Sequence, residues 1–320
     1  MADEDPAETV AMAPRRAAAA SRRSGPAGAA GSPRSPGEAD EPAWLNHPDS
    51  IQPTVLILGG FLTAPPMYRP LVGRLKARGA AGVVVAGVWT PDWLLAGVRG
   101  MGPICTRSAR ALRDAIRLSG EVSEGAPLLL VGHSAGGITS RLLTAPEPLP
   151  GRRYGAARWI GAIVTLGTPH LLSAGEGIGR RIRDVAATVA DATVPGAFFA
   201  PEIGYLAVAS RAIRGDPDGT GRERVAHLLY RSVMGTAAGA GTAGDGLVPV
   251  AAAGLEGARQ VVLDGAVHGP SAGGSWYGSD DALDVWWPIA LETWRSALEH
   301  RAGVARARVA RRPASRRLGP

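Results

Sequence analysis

The chain has 320 residues and a formal net charge of +7, long enough for one α/β domain with an ample core. A single cysteine, Cys105, excludes a disulfide framework within the chain, and no apolar run reaches the length of a membrane-spanning helix. The charge is unevenly placed: the last twenty residues hold seven arginines and no acid, and the first fifty hold five arginines against eight acids.

Both ends read as unfoldable. Residues 1–50 are mostly Ala, Pro, Gly, Ser and Arg, with too little bulky apolar surface to offset the entropy of ordering. Read from Met12, residues 12–35 are acid-free and rich in Arg, Ala and Ser, the composition of an organelle transit peptide, which points to a plastid. Read from Met1 it gains Asp3, Glu4, Asp5 and Glu8, which count against that address and leave the cytoplasm. Residues 301–320 form a basic tail that reads as a solvated, disordered end; electrostatics allows it a weak contact with an anionic membrane surface. No aromatic residue interleaves its arginines, so specific nucleic-acid binding is not indicated.

Between the ends, residues 51–300 alternate apolar runs with helical patterns, the mark of a mostly parallel sheet with helices on both faces. Thr54–Gly60 is a buried strand ending in glycines, and Gly82–Val88 is a second. Cys105, Ala109, Leu112 and Ile116 recur at helical spacing, with Arg107, Arg110, Arg113 and Arg117 off the stripe. Pro127–His133 is a third strand, and Gly136–Leu143 starts a helix that Pro146 and Pro148 end. Ile160–Gly167 is a fourth strand. Residues 171–223 break the rhythm with two helical patterns, "RDVAATVADA" and "APEIGYLAVASRAI", and read as a small helical cap. His227–Gly235 and Arg259–Asp264 read as later strands. Leu283–His300 reads as a closing helix that Pro288 opens or kinks.

"GHSAGG", Gly132–Gly137, matches G-x-S-x-G. The pattern alone is weak, and the chain contains a second copy at Gly269–Gly273. Context separates them. Ser134 stands between an apolar strand and a helix, where a sharp turn lifts its side chain to the sheet edge; Ser271 follows Pro270 in a loop. A serine hydroxyl needs a base. Of six histidines, His268 alone lies in a loop just after a strand and before the final helix. The orienting acid should fall between Ser134 and His268 at a strand end. Asp245, in "GDGLVP", satisfies this; Asp264 is its rival, close in sequence to His268. Oxyanion donors are expected from the backbone of Ala135 and of Phe61 or Leu62, in the loop after the first strand.

"LILGGF", "LLLVGHSAGGITSRLL", "IVTLGTPH" and "GDGLVP" occur in that order and together resemble lipase-like α/β-hydrolases, including those of plants, algae and cyanobacteria. The resemblance covers about Thr54 to Gly269. It implies an α/β-hydrolase fold, Ser134, Asp245 and His268 as triad, and Phe61 or Leu62 with Ala135 as oxyanion donors. It also implies Gly167–His170 as a structural turn near the site. The expected activity is cleavage of a small-molecule or lipid ester through an acyl-enzyme, with no cofactor and no metal. An acyltransferase would use the same triad, and a non-catalytic binding protein would keep the fold. Phe198, Phe199, Leu206 and Val208 offer either an acyl-chain surface or ordinary core. There is no G-x-x-x-x-G-K-[ST] loop for nucleotide phosphates.

Overall fold

The computed structural model describes residues 42–61, 63–148, 152–171, 188–270 and 274–311. The chain divides after Asp40, and the described residues all belong to the second unit, Glu41–Pro320.

Six parallel strands form the central sheet: β1 (Thr54–Leu58), β2 (Gly82–Val85), β3 (Leu128–His133), β4 (Ile160–Leu166), β5 (Gly204–Ser210) and β8 (Arg259–Leu263). Their order is β2-β1-β3-β4-β5-β8. A short antiparallel pair, β6 (Ile213–Arg214) and β7 (Ala243–Gly244), lies outside it. The helices are α1 (Arg69–Ala77), α2 (Thr90–Arg99), α3 (Gly102–Val122), α4 (Ala135–Thr144), α5 (Gly221–Met234), α6 (Val250–Ala253) and α7 (Asp280–Ala310).

Strands β1, β3 and β4 are buried at every position and mostly apolar because both faces are covered. Successive side chains point to opposite faces, and the core splits accordingly. Leu56, Leu58, Leu128, Leu130 and Ile163 pack with α2, α3 and α4, where Trp93, Ile104, Cys105, Leu112, Ile138 and Leu142 are buried. Val55, Ile57, Leu129, Val131, Val164, Leu206 and Val208 pack with α1 and α7, against Leu71, Leu75, Trp286 and Trp294. Gly161 makes room for the second set: a Cβ there would come 2.7 Å from the Trp294 indole nitrogen. That nitrogen donates to Pro127 O at 2.8 Å, so the buried ring satisfies its one polar atom. This strand order, parallel throughout with helices on both faces, is that of the α/β-hydrolase fold.

Four expectations change. First, the segment read as a cap contains a central strand. "IGYLAVAS" is buried almost without a break as β5, and a continuous apolar run meets helical spacing as well as strand alternation. Leu206 and Val208 are therefore sheet core, Phe199 packs against the core, and Phe198 is exposed. Residues 188–193 are helical, and the rest of "RDVAATVADA" lies outside the described residues. Second, His227–Gly235 is helix, not strand. Its start lies upstream, where Glu223 accepts the Thr220 N–H at 2.7 Å in a capping box. Ala226, Tyr230 and Val233 are then buried at helical spacing. Third, the last helix begins at Asp280 and runs to Ala310, into the expected tail. Pro288 sits inside it, between the buried pairs Trp286–Trp287 and Ala290–Trp294 that hold the helix to the sheet. Arg301 anchors the extension by donating to the carbonyls of Ala157, Arg158, Ile160 and Glu202. Fourth, the folded part begins before Ile51: Trp44, in a short 3-10 turn, is buried in the α7-side core.

Candidate active site

Ser134 stands at the bend between β3 and α4 with φ 53° and ψ −129°. It and Glu124 are the two non-glycine residues at positive φ among the described residues. Such a conformation costs about 1–3 kcal/mol and persists where its surroundings over-determine it. Here they do. Ser134 N–H donates to Leu166 O at 2.8 Å, and Thr168 Oγ1 donates to Ser134 O at 2.8 Å. The bend is also too tight for side chains nearby: a Cβ on Gly132 would come 2.5 Å from Gly137 Cα, and one on Gly136 would come 2.0 Å from Leu58 O. Gly60 lies directly over the serine, where a Cβ would meet Ser134 Cβ at 2.6 Å.

The structure brings Ser134, His268 and Asp245 together. His268 Nε2 is 3.0 Å from Ser134 Oγ, and His268 Nδ1 is 2.8 Å from Asp245 Oδ2. A carboxylate only accepts, so a neutral His268 carries its proton on Nδ1 and leaves Nε2 to receive the serine hydrogen. Asp245 follows β7 and is buried. Its Oδ1 accepts N–H from Leu247 at 2.9 Å and Val248 at 2.7 Å; its Oδ2 also accepts the Tyr277 hydroxyl at 2.9 Å. Burial opposes its ionisation, but the His268 charge and hydrogen bond, together with those two N–H groups, hold the carboxyl below its ordinary value. Burial and then the Asp245 charge push the Tyr277 phenol well above its ordinary value, which keeps it a donor. Asp264 points elsewhere, pairing with Arg211 at 2.5 Å on the exposed surface.

His133 lies under this group. Burial, reinforced by His268, pushes its pKa down to about 3, so the ring is neutral. Its Nε2 lies 2.6 Å from His268 O, a carbonyl that can only accept, so Nε2–H donates there. Its Nδ1 then accepts from the Tyr68 hydroxyl at 2.9 Å. The Tyr68 oxygen in turn accepts Gly60 N–H at 3.1 Å. One imidazole thus links the loop carrying His268 to the loop carrying Gly60 and Phe61.

Of the expected oxyanion donors, Ala135 is the first residue of α4, where an N–H has no acceptor within its own helix. Phe61 lines the cavity next to Gly60 and packs edge-on against Trp93 at 5.9 Å. Leu62 and Ser271 lie outside the described residues. Gly167–His170 supports the bend from behind. Thr168 holds the Ser134 carbonyl, and Gly167, at φ 55°, leaves room for Asp245, whose Oδ2 would lie 2.6 Å from a Cβ there. His170 is buried between Arg141 and Thr165, with ring contacts of 3.2 and 3.1 Å.

A cavity of about 620 Å³ opens over Ser134 and His268, lined by Met67, Ile213, Val225, Leu229, Leu247 and Val267 among others. Sequence reading missed Tyr68, His133 and Tyr277 as its supports. Nothing local marks them, since each reaches the triad or its neighbour across at least 32 positions. Among the described residues, no group of three or more His, Cys, Asp or Glu is placed to hold a metal.

No protein-family model matches the chain, and none of the curated proteins does. Among solved structures, the apo form of Thermogutta terrifontis esterase 2 matches with a TM-score of 0.41 at 14% identity, covering 77% of this chain and 82% of that one. The butyrate-bound form of that esterase matches with a TM-score of 0.39 at 15% identity, over 77% of this chain and 82% of that one. Likeness at this level bears on neither substrate nor mechanism.

Proposed function

We propose that the chain is a serine hydrolase that cleaves carboxylic esters through an acyl-enzyme on Ser134. The observation that carries this reading is the unbroken line of contacts from Ser134 Oγ through His268 to the buried Asp245 carboxylate, at 3.0 and 2.8 Å. As Oγ adds to the ester carbonyl carbon, its proton passes to His268 Nε2. Asp245 orients the ring and stabilises its charged form. The carbonyl oxygen becomes an oxyanion, received by the N–H groups of Ala135 and Phe61; one such donor is worth about 10²–10³ in rate. Collapse expels the alcohol, which takes the proton back from His268. Water, deprotonated by the same nitrogen, then releases the acid and restores Ser134.

The apolar walls of the cavity suit an acyl chain or an apolar alcohol. The test is labelling with a fluorophosphonate alongside hydrolysis of nitrophenyl esters of rising chain length. Wild type should be labelled and active, and Ser134→Ala should be neither. A folded wild type that takes no label while a control hydrolase does would overturn the proposal.

A further inference from the structure

The cavity over Ser134 has one lining side chain out of keeping with its apolar walls: Arg222. It lies in the first turn of α5. Arg222, Val225 and Leu229 are spaced three and four apart, so they share one helix face, and all three line the cavity. Arg222 therefore shares this part of the cavity lining with two aliphatic side chains.

Nothing in the described part of the fold uses this charge. Arg222 has no carboxylate within 4.0 Å among the described residues; Arg224 and Arg231 on the same helix have none either, but of the three only Arg222 lines the cavity. The helix gains nothing from it either, because a cation in the first turn opposes the helix dipole. Glu223, the neighbouring acid, is occupied in the cap with Thr220.

Arg222 is exposed, so a purely apolar ligand in this cavity would leave the guanidinium in water and gain nothing from it. A ligand with a terminal carboxylate or phosphate would gain from it through two parallel N–H···O bonds, which the planar guanidinium is shaped to donate.

We infer that the cavity selects esters carrying an anionic group, a carboxylate or phosphate on the acyl or the alcohol part, with Arg222 as the side chain that binds it. This inference rests on the reading of Ser134 as the nucleophile of an ester hydrolase. The substrate lies with its ester carbon at Ser134 Oγ, its aliphatic part along Val225 and Leu229, and its anionic end at Arg222.

The test compares kcat/KM within two matched pairs. For the acyl side they are 4-nitrophenyl hexanoate and the 4-nitrophenyl monoester of adipic acid; for the alcohol side, 4-acetoxybenzamide and 4-acetoxybenzoate. Wild type should favour the anionic member of at least one pair by about two- to fivefold, the worth of an exposed ion pair. That preference should shrink as salt is raised. In Arg222→Gln the ratio should fall to near one, and in Arg222→Glu it should invert. Ratios within a pair are unaffected by the fraction of folded enzyme. Ratios equal in wild type and Arg222→Gln for both pairs would overturn the inference. Fluorophosphonate labelling separates the two levels: a labelled chain without charge discrimination loses this inference and keeps the hydrolase reading, and an unlabelled chain loses both.

Discussion

Gly60→Ala adds one methyl group at the most crowded point of the site. Gly60 is not at positive φ, so the backbone itself tolerates alanine. The new Cβ, however, would meet Ser134 Cβ at 2.6 Å, His133 O at 3.0 Å and Ser134 Oγ at 3.3 Å. Carbon atoms rest at about 3.5–4.0 Å from one another, so about 1 Å must be found by moving the Gly60 loop or the serine. Either movement separates Ser134 from the Phe61 N–H, and a displacement of about 1 Å at a reacting centre costs about 100-fold in rate. Overpacking of this kind also costs about 1–3 kcal/mol in stability, which lowers Tm by about 2–12 °C for a domain of this size. Gly73→Ala is the matched control. It lies within α1 with nothing within 4 Å of the added Cβ, so it should gain about 0.5–1 kcal/mol. The assay is kcat/KM on a nitrophenyl ester, fluorophosphonate labelling rate and thermal unfolding for each variant and for the double variant. The double variant should recover part of the lost stability and none of the lost rate. A Gly60→Ala protein that labels and turns over like wild type would refute the placement of this loop over the serine.

Arg301→Ala should cost about 2 kcal/mol in urea unfolding, because it removes the donor to four carbonyls, whereas exposed Arg308→Ala should stay within about 0.5 kcal/mol; equal effects would sink the reading of residues 301–310 as part of the fold. Acid should weaken the protein from about pH 6.5 downward. His133 and His170 are held at about 3, first by burial, so between 6.5 and 3 the unfolded chain binds protons that the folded chain refuses, and stability falls as pH falls. Each histidine contributes about 1.4 kcal/mol per pH unit, or about 4 kcal/mol for the pair between pH 7 and 5. Asp245, held below its ordinary value, adds to the loss further down, since its contribution is present above that value and disappears as pH drops through the folded one. Urea unfolding at stepped pH measures the slope, and His170→Asn, which keeps an acceptor for Arg141, should flatten it by about half; an unchanged slope would count against this account.

The chemistry-bearing triplets were legible because each is local punctuation. A serine followed two residues on by glycine between strand and helix, a glycine-flanked aspartate and a loop histidine near the chain end can each be found without knowing the fold, and the structure places the histidine within hydrogen-bond reach of the other two. The sheet was legible for a related reason: strands covered on both faces are written as unbroken apolar runs. That same signature hid β5, because an unbroken run of Ile203 to Ala209 also satisfies helical spacing. His227–Gly235 misled in the opposite way, since reading from His227 drops the Thr220–Glu223 cap that starts the helix. Arg301 looked like part of a charge run, and only the carbonyls of distant elements show it as an anchor. Tyr68, His133 and Tyr277 were beyond reach for the same reason: their partners are set by tertiary proximity.

Between Ser210 and Arg259 the chain leaves the sheet, and that single excursion supplies both Asp245 and the wall formed by Arg222, Val225 and Leu229. The carboxylate partner of His268 and one wall of the cavity thus travel on one stretch of polypeptide, fastened at both ends to strands of the sheet. Swapping this stretch between relatives would recast selectivity in one stroke, provided the aspartate returns to the same spot beneath His268.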